Sequence, residues 1–280
     1  MPIDYSSADN VLQLSFGALN RGSAPLAFPK RGTLSEYVFK WLDPTTTSPH
    51  AMRPSEGRCF ASAAVEMWHR AIHSFLCSVA LSETSPLWSR IAGYYSSHFV
   101  MRAFSHAFGF FKSFRRRKIA QITIANGTLY CRALQDRPPG EHVFYWQVVN
   151  GYPPFKDNPL FPLNNERDER SDCAHRNFAN YIDHINAFQL LRVLDDDRIK
   201  NEIDKISRIR RFSVTLPERD AYPDISDVQI LAYQRIVSFQ EFLDHRLTSN
   251  RFWKNYRHPV WSKPFLSFNI ENSGIEEPTL

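Results

Sequence analysis

Glycine is scarce in this chain, at 10 of 280 residues. Neither a GxGxxG nor a GxxxxGK[ST] pattern occurs, so the glycine-rich turns that cradle nucleotide phosphates are missing. The four cysteines, Cys59, Cys77, Cys131 and Cys173, are scattered singly with no CxxC between them. Reduced thiols in a cytoplasmic protein are the simplest reading. No stretch offers the ~18 consecutive apolar residues of a membrane-spanning helix. The opening "MPIDYSSADNVLQLSF" lacks the basic start and apolar centre of a signal peptide. A nucleophilic hydrolase is not signalled either, since there is no G-x-S-x-G and no cysteine stands in a recognisable nucleophile context. Internal repeats and low-complexity tracts are absent.

What is present is a packable globular composition. The chain is 43% apolar and 22% charged, and its 22 Phe, 11 Tyr and 6 Trp make a sizeable core easy to build. The length allows one large domain or two small ones. A net charge of +5 and a pI of about 9.0 are compatible with a phosphate-bearing partner without requiring one.

Along the chain, residues 1–57 are rich in Pro, Ser, Thr and Gly and read as an irregular N-terminal arm, with one short helix over "LSEYVFKWL". Residues 58–250 carry the helices. "CFASAAVEMWHRAIHSFLCSVALSE" is a long helix free of Pro and Gly. Pro86 opens the next, with Ser85 as its N-cap. That helix is read through "LWSRIAGYYSSHFVMRAFSHAFGFFKSF", with Tyr94, Ser97, Met101, Phe104, Phe108 and Phe111 on one face. It ends in the basic run Arg115, Arg116, Arg117 and Lys118, which suits the negative end of a helix dipole. "KIAQITIANGTLYCRAL" signals a hairpin turning at Asn126-Gly127, and "EHVFYWQVV" reads as a third strand. A proline-broken loop follows. Further helices are expected from Asp172 to about Leu194, over "DDDRIKNEIDKISRI", and over "SDVQILAYQRIVSFQEFLDHRL" with Asp224 or Ser226 near its N-cap. Residues 251–280 form a tail. The expected fold is mainly α: a helical bundle with a small antiparallel β insertion at about residues 118–150.

Several constellations could carry chemistry. Glu66, His69 and His73 share a helical face, but the carboxylate-bridged metal bundles that use Glu-x-x-His need it on two helices. Only one copy exists here, so no metal is expected. On the next helix Tyr95, His98, Arg102 and His106 form a polar stripe. It reads either as a solvated face or as the wall of an anion-binding groove. The basic run at residues 115–118 could hold phosphates, with Phe110, Phe111 and Phe114 near enough to stack on bases. Asp195, Asp196 and Asp197 read as a helix N-cap and first turn. Finally, "ERSDCAHRNFANYIDHIN", residues 169–186, places His175 five residues after Arg170. A guanidinium offers phosphate oxygens a planar fork of donors, and an imidazole can act as general base or acid near neutral pH. Together they suffice for RNA cleavage without metal: a base activates the ribose 2′-OH while the arginine stabilises the phosphorane.

The stretch "SRIAGYYSSHFVMRAFSHAFG", residues 89–109, resembles the second helix of HEPN-type domains, in which an aromatic pair is followed by small residues and an Arg/Ala-rich turn. "RSDCAH", residues 170–175, matches that family's Arg-x(4–6)-His motif in spacing and in its downstream place. The resemblance implies a helical bundle with no cofactor, acting on RNA in a prokaryotic toxin–antitoxin or anti-phage defence system. It also implies a homodimer, with the two motifs meeting at the interface, or a partner protein. Arg170 would bind the scissile phosphate and His175 would be the base. The sequence departs from the family at Ser171, where Asn, Asp or His is usual. A second register, "RNFANY", has the preferred Asn177 after Arg176 but ends in Tyr181, a poor base at neutral pH. Arg170 with His175 implies an endoribonuclease. Arg176, Asn177 and Tyr181 imply a catalytically inactive protein-interaction or RNA-binding module.

Overall fold

The computed structural model describes residues 3–20, 50–52, 54–83, 85–113, 118–134, 139–163 and 225–254, together with positions 172, 201, 203, 204 and 206. The described chain is mainly α with a small antiparallel sheet. Its elements are α1 (Ala8–Asn20), β1 (His50–Ala51), α2 (Pro54–Leu81), α3 (Pro86–Ala107), β2 (Phe110–Ser113), β3 (Lys118–Ala125), β4 (Thr128–Leu134), α4 (Glu141–Asn150), a 3-10 turn (Pro153–Phe155) and α5 (Ile225–Arg246).

The two long helices α2 and α3 form an antiparallel hairpin. Ser78 and Ser89 exchange hydrogen bonds near its closed end, each hydroxyl donating to the other's backbone carbonyl (2.8 and 2.7 Å). Further along, Ser96 donates to the carbonyl of Ala71 (2.8 Å). Helix α5 lies across both. Gln229 donates to the Ser78 carbonyl (3.2 Å), Trp68 donates to the Ile236 carbonyl (3.3 Å), and Phe104 meets Phe239 edge-on at 4.9 Å. Small residues at the crossings (Ser62, Ala64, Ala71, Ser78, Ser89, Gly93, Ser96) are buried and let the backbones approach closely. The large aromatics fill the spaces between.

The hairpin at Asn126-Gly127 forms as expected. Both residues have positive φ, 49° and 71°, the signature of a type I′ turn, and Ala125 pairs with Thr128. The sheet order is β1-β4-β3-β2, antiparallel throughout. One face covers a second core made of Val11, Phe60, Phe111, Ile122, Leu129 and Cys131. Cys59, Cys77 and Cys131 are thiols, none in a disulfide.

Four expectations need correction. First, "EHVFYWQVV" is the helix α4, not a strand. Its β-branched and aromatic residues favour β structure locally, but Phe144, Tyr145 and Trp146 are buried consecutively, which a strand with one solvated face cannot do. Gly140 at the N-cap and Glu141 in the first turn suit a helix start, and tertiary packing decides the rest. Second, α3 stops at Ala107. Gly109 adopts φ +87°, and a Cβ there would lie 3.0 Å from Cβ of Ile122 and 3.1 Å from Cγ1 of Val11. Only glycine fits this left-handed helix exit. Phe110 and Phe111 therefore belong to β2 and are buried in the core, not open for base stacking. The basic run is not a helix end: Lys118 opens β3, and Arg115, Arg116 and Arg117 lie outside the described residues. Third, the arm is not irregular over residues 8–20. They form α1, whose Val11, Leu12, Phe16 and Leu19 are buried. Fourth, Trp253, assigned to the tail, is in a short helical turn and buried against Phe16 and Trp68. The helix over "LSEYVFKWL" falls outside the described residues, as does most of the segment from 164 to 200. Ser85 does precede α3, but its side chain makes no capping bond.

Candidate functional site

Helix α3 carries the stripe Tyr95, His98, Arg102 and His106, and the structure decides against a solvated face. His98 and His106 are 2% and 3% exposed. The stripe is covered by α4, which brings Glu141, His142 and Tyr145 onto it. The sequence hides these three residues because "EHVFYWQVV" reads as a strand; Gly140 followed by an acidic first turn is the signal it offers for a helix.

The centre of the cluster is a pair of imidazoles. The rings of His98 and His142 are 4.5 Å apart. The Tyr94 hydroxyl lies 2.8 Å from Nδ1 of His142, and its ring stacks parallel to that of His98 at 6.1 Å. Tyr95 closes one side, edge-on to both histidines. His142 and Tyr95 are half-buried, so one side of the pair borders solvent. The bond to the Tyr94 hydroxyl orients the His142 ring.

Next along α3, Arg102 forms an ion pair with Glu141 at 3.0 Å, both side chains retaining about a quarter or less of their exposure (20% and 25%). Its guanidinium lies over the rings of Tyr145 (5.3 Å) and Phe99 (6.0 Å). An anion reaching Arg102 would have to share it with Glu141. Lys112 on β2 donates its ammonium to the Pro139 carbonyl. Burial lowers its pKa, with the charge of Glu141 opposing. Burial also pushes the Tyr145 phenol up to about 12, so it stays protonated at physiological pH.

His106 lies deepest. It stacks on Phe111 at 4.6 Å and meets Tyr145 edge-on at 5.8 Å. Neither ring nitrogen makes a well-formed hydrogen bond. Burial, and then the neighbouring charge of Arg102, hold its pKa well below the ordinary value, against a smaller opposing effect from the Ala63 backbone. It is a neutral core residue and cannot line a groove.

The second region is marked by Asp172, inside the segment that carries Arg170 and His175. Its carboxylate receives a two-pronged ion pair from Arg235 of α5, Nη1 to Oδ1 at 3.0 Å and Nη2 to Oδ2 at 3.2 Å, with the partners only 1% and 8% exposed. Nε of Arg235 donates to the Leu160 carbonyl (2.7 Å), and its guanidinium lies 4.7 Å over the Trp146 ring of α4. The proposed site residues Arg170, His175, Arg176, Asn177 and Tyr181 fall outside the described residues.

The Glu66, His69 and His73 face holds no metal arrangement. Glu66 pairs with Arg70, His73 lies beside Cys77, and no group of three or more metal-ligating side chains occurs among the described residues. No helix of the described residues is long and apolar enough to cross a membrane. No protein-family model, curated protein or solved structure matches this chain.

Proposed function

We propose that this chain is a HEPN-like helical protein of a prokaryotic toxin–antitoxin or anti-phage defence system, acting on RNA as a metal-independent endoribonuclease. The observation that carries the proposal is the His98–His142 pair beside Arg102, gathered on one half-open face by α3 and α4. Imidazole and guanidinium side chains on one face are the group types that a phosphodiester transesterification uses. In this reading Arg170 grips the scissile phosphate and His175 takes the proton of the 2′-OH. The 2′-oxygen then attacks phosphorus, the bond to the 5′-oxygen breaks, and that oxygen takes a proton from solvent, to which His175 releases the one it took. The products are a 2′,3′-cyclic phosphate and a 5′-hydroxyl. Arg115, Arg116, Arg117 and Lys118 would hold the RNA backbone, and the protein would act as a dimer.

The test is cleavage of a labelled RNA by the purified protein in excess chelator. Wild type should cut and leave cyclic phosphate ends. Arg170→Ala and His175→Ala should each lower the rate by at least about a hundredfold, the scale of general acid–base catalysis. If His175→Ala cuts as fast as wild type, the catalytic assignment is wrong. A second reading, a catalytically inactive interaction module, draws on the pairing of Arg102 by Glu141 and on the Arg176–Tyr181 register. It predicts no cleavage at any protein concentration and a stable oligomer in light scattering.

A further inference from the structure

A carboxylate beside a guanidinium weakens a phosphate site and suits a different ligand. Arg102 of α3 and Glu141 of α4 meet at 3.0 Å, Nη1 to Oε1, and the two side chains keep 20% and 25% of their exposure. One edge of the pair therefore borders solvent. A phosphate presents acceptors only, and Glu141 repels it. A ligand that satisfies both partners must offer acceptors and donors side by side on one rim.

The surroundings of the pair are aromatic. Tyr95, Phe99 and Arg102 stand at i, i+4 and i+7 of α3 and share one side of the helix. The rings of Tyr95 and Phe99 lie 6.2 Å apart at 35°. The guanidinium of Arg102 is 6.0 Å from the Phe99 ring and 5.3 Å from that of Tyr145, so its plane is supported by both helices. His142 meets Tyr95 edge-on at 6.1 Å. Tyr95, Phe99 and His142 are all half-buried. Flat rings partly open to solvent are the surfaces on which the bases of single-stranded RNA stack.

The edges of the four bases differ in what they ask of such a pair. Guanine presents N7 and O6 as adjacent acceptors, then N1–H and the 2-amino group as adjacent donors. An arginine fork takes the first two, and a carboxylate accepts from the second two. Adenine alternates acceptor, donor and acceptor, and uracil sets one donor between two acceptors. Cytosine has one donor followed by two acceptors. Guanine alone offers two hydrogen bonds to each partner.

We propose that this half-open face of α3 and α4 binds a guanine base of single-stranded RNA: Arg102 and Glu141 read its edge while the rings of Tyr95 and Phe99 stack against it. The proposal rests on the RNA-directed reading above and adds a base preference to it. Binding is measured with 2′-O-methyl RNA tetramers of sequence UUGU, UUAU, UUCU and UUUU, which lack the 2′-OH needed for cleavage. Wild type should bind the guanine tetramer at least about tenfold more tightly than the other three, the scale of a good bidentate base contact. Inosine in place of guanosine removes the 2-amino donor, and 7-deazaguanosine removes the N7 acceptor. Each should lose at least about fivefold in affinity. These ligand changes use the wild-type protein, so the folding of a variant does not enter. Arg102→Lys, which keeps charge but not the fork, and Glu141→Gln should each reduce the guanine preference to less than about threefold. Equal binding of the four tetramers overturns the proposal, because a phosphate groove would then suffice. So does an affinity unchanged by inosine and by 7-deazaguanosine, or no binding of the guanine tetramer. A wild type that prefers guanine but cuts no RNA refutes the nuclease reading and keeps the base site. One that cuts RNA and binds without base preference does the reverse.

Discussion

His106 illustrates how much a single side chain's surroundings change its meaning. By spacing it belongs with His98 and Arg102. By burial it belongs to the core, stacked on Phe111, and its pKa is held well below the ordinary value by burial and by Arg102. The folded state binds its proton more weakly than the unfolded chain, where the ordinary value is about 6.5. Its neutral form therefore contributes full stability above pH 6.5, and that contribution is lost as pH falls below it, at up to about 1.4 kcal/mol per pH unit. Urea midpoints measured from pH 7.5 to 5 should show this decline. In His106→Phe, which keeps the stack on Phe111, the decline should be shallower by that share. An unchanged slope would mean that other groups govern acid stability.

At the scale of elements, what could be read from the sequence follows from where information is local. The hairpin at Asn126-Gly127 was legible because its turn demands two positive φ values and Asn-Gly supplies them. Helices α2, α3 and α5 were legible from long stretches without proline and with few glycines. Helix α4 was not, because ten residues rich in Val, Phe, Tyr and Trp are helical only through what they pack against. With it went His142, Glu141 and Tyr145, so only the α3 side of the candidate site is visible in the sequence, and there the stripe stays open between a solvated face and the wall of a groove. The end of α3 was also hidden, since Gly109 marks a stop only once Ile122 and Val11 crowd it. The crossing of α3 and α5 yields a sharp prediction. A Cβ on Gly93 would stand 2.6 Å from Cγ1 of Val228, a β-branched side chain with little freedom to turn away. Gly93→Ala should cost about 1–3 kcal/mol through overpacking, seen as a fall in thermal midpoint, and the added Val228→Ala should restore part of the loss. A Gly93→Ala protein as stable as wild type would show that the two helices can separate freely.

For the whole molecule, the principal revision concerns the N-terminal segment. Tyr5 donates to the Val148 carbonyl of α4 (2.6 Å). Asp9 accepts from Tyr152 (2.9 Å) and pairs with Arg246 at the end of α5 (2.8 Å). Phe16 meets Trp253 edge-on at 6.1 Å. The segment from Tyr5 to Phe16 thus ties together α4, the end of α5 and Trp253, and it backs the sheet through Val11. Burying each of Val11, Leu12, Phe16 and Leu19 contributes about 1.5–3 kcal/mol, a total comparable with the whole stability of an ordinary domain, about 5–15 kcal/mol. Removal of residues 1–20 should leave a protein without a cooperative thermal transition that binds hydrophobic dyes. A cooperative melt near the wild-type midpoint would return α1 to the status of a dispensable arm. The same turn that made the hairpin readable also has a practical use. Ala125, Asn126 and Gly127 are exposed at the tip of β3 and β4, and a Cβ built on Gly127 meets nothing within 4 Å. Small polar loop tips are where a chain best accepts foreign sequence. An affinity tag or a fluorescent reporter inserted there would leave the packing of α1 and α5 intact and make the molecule visible while it acts.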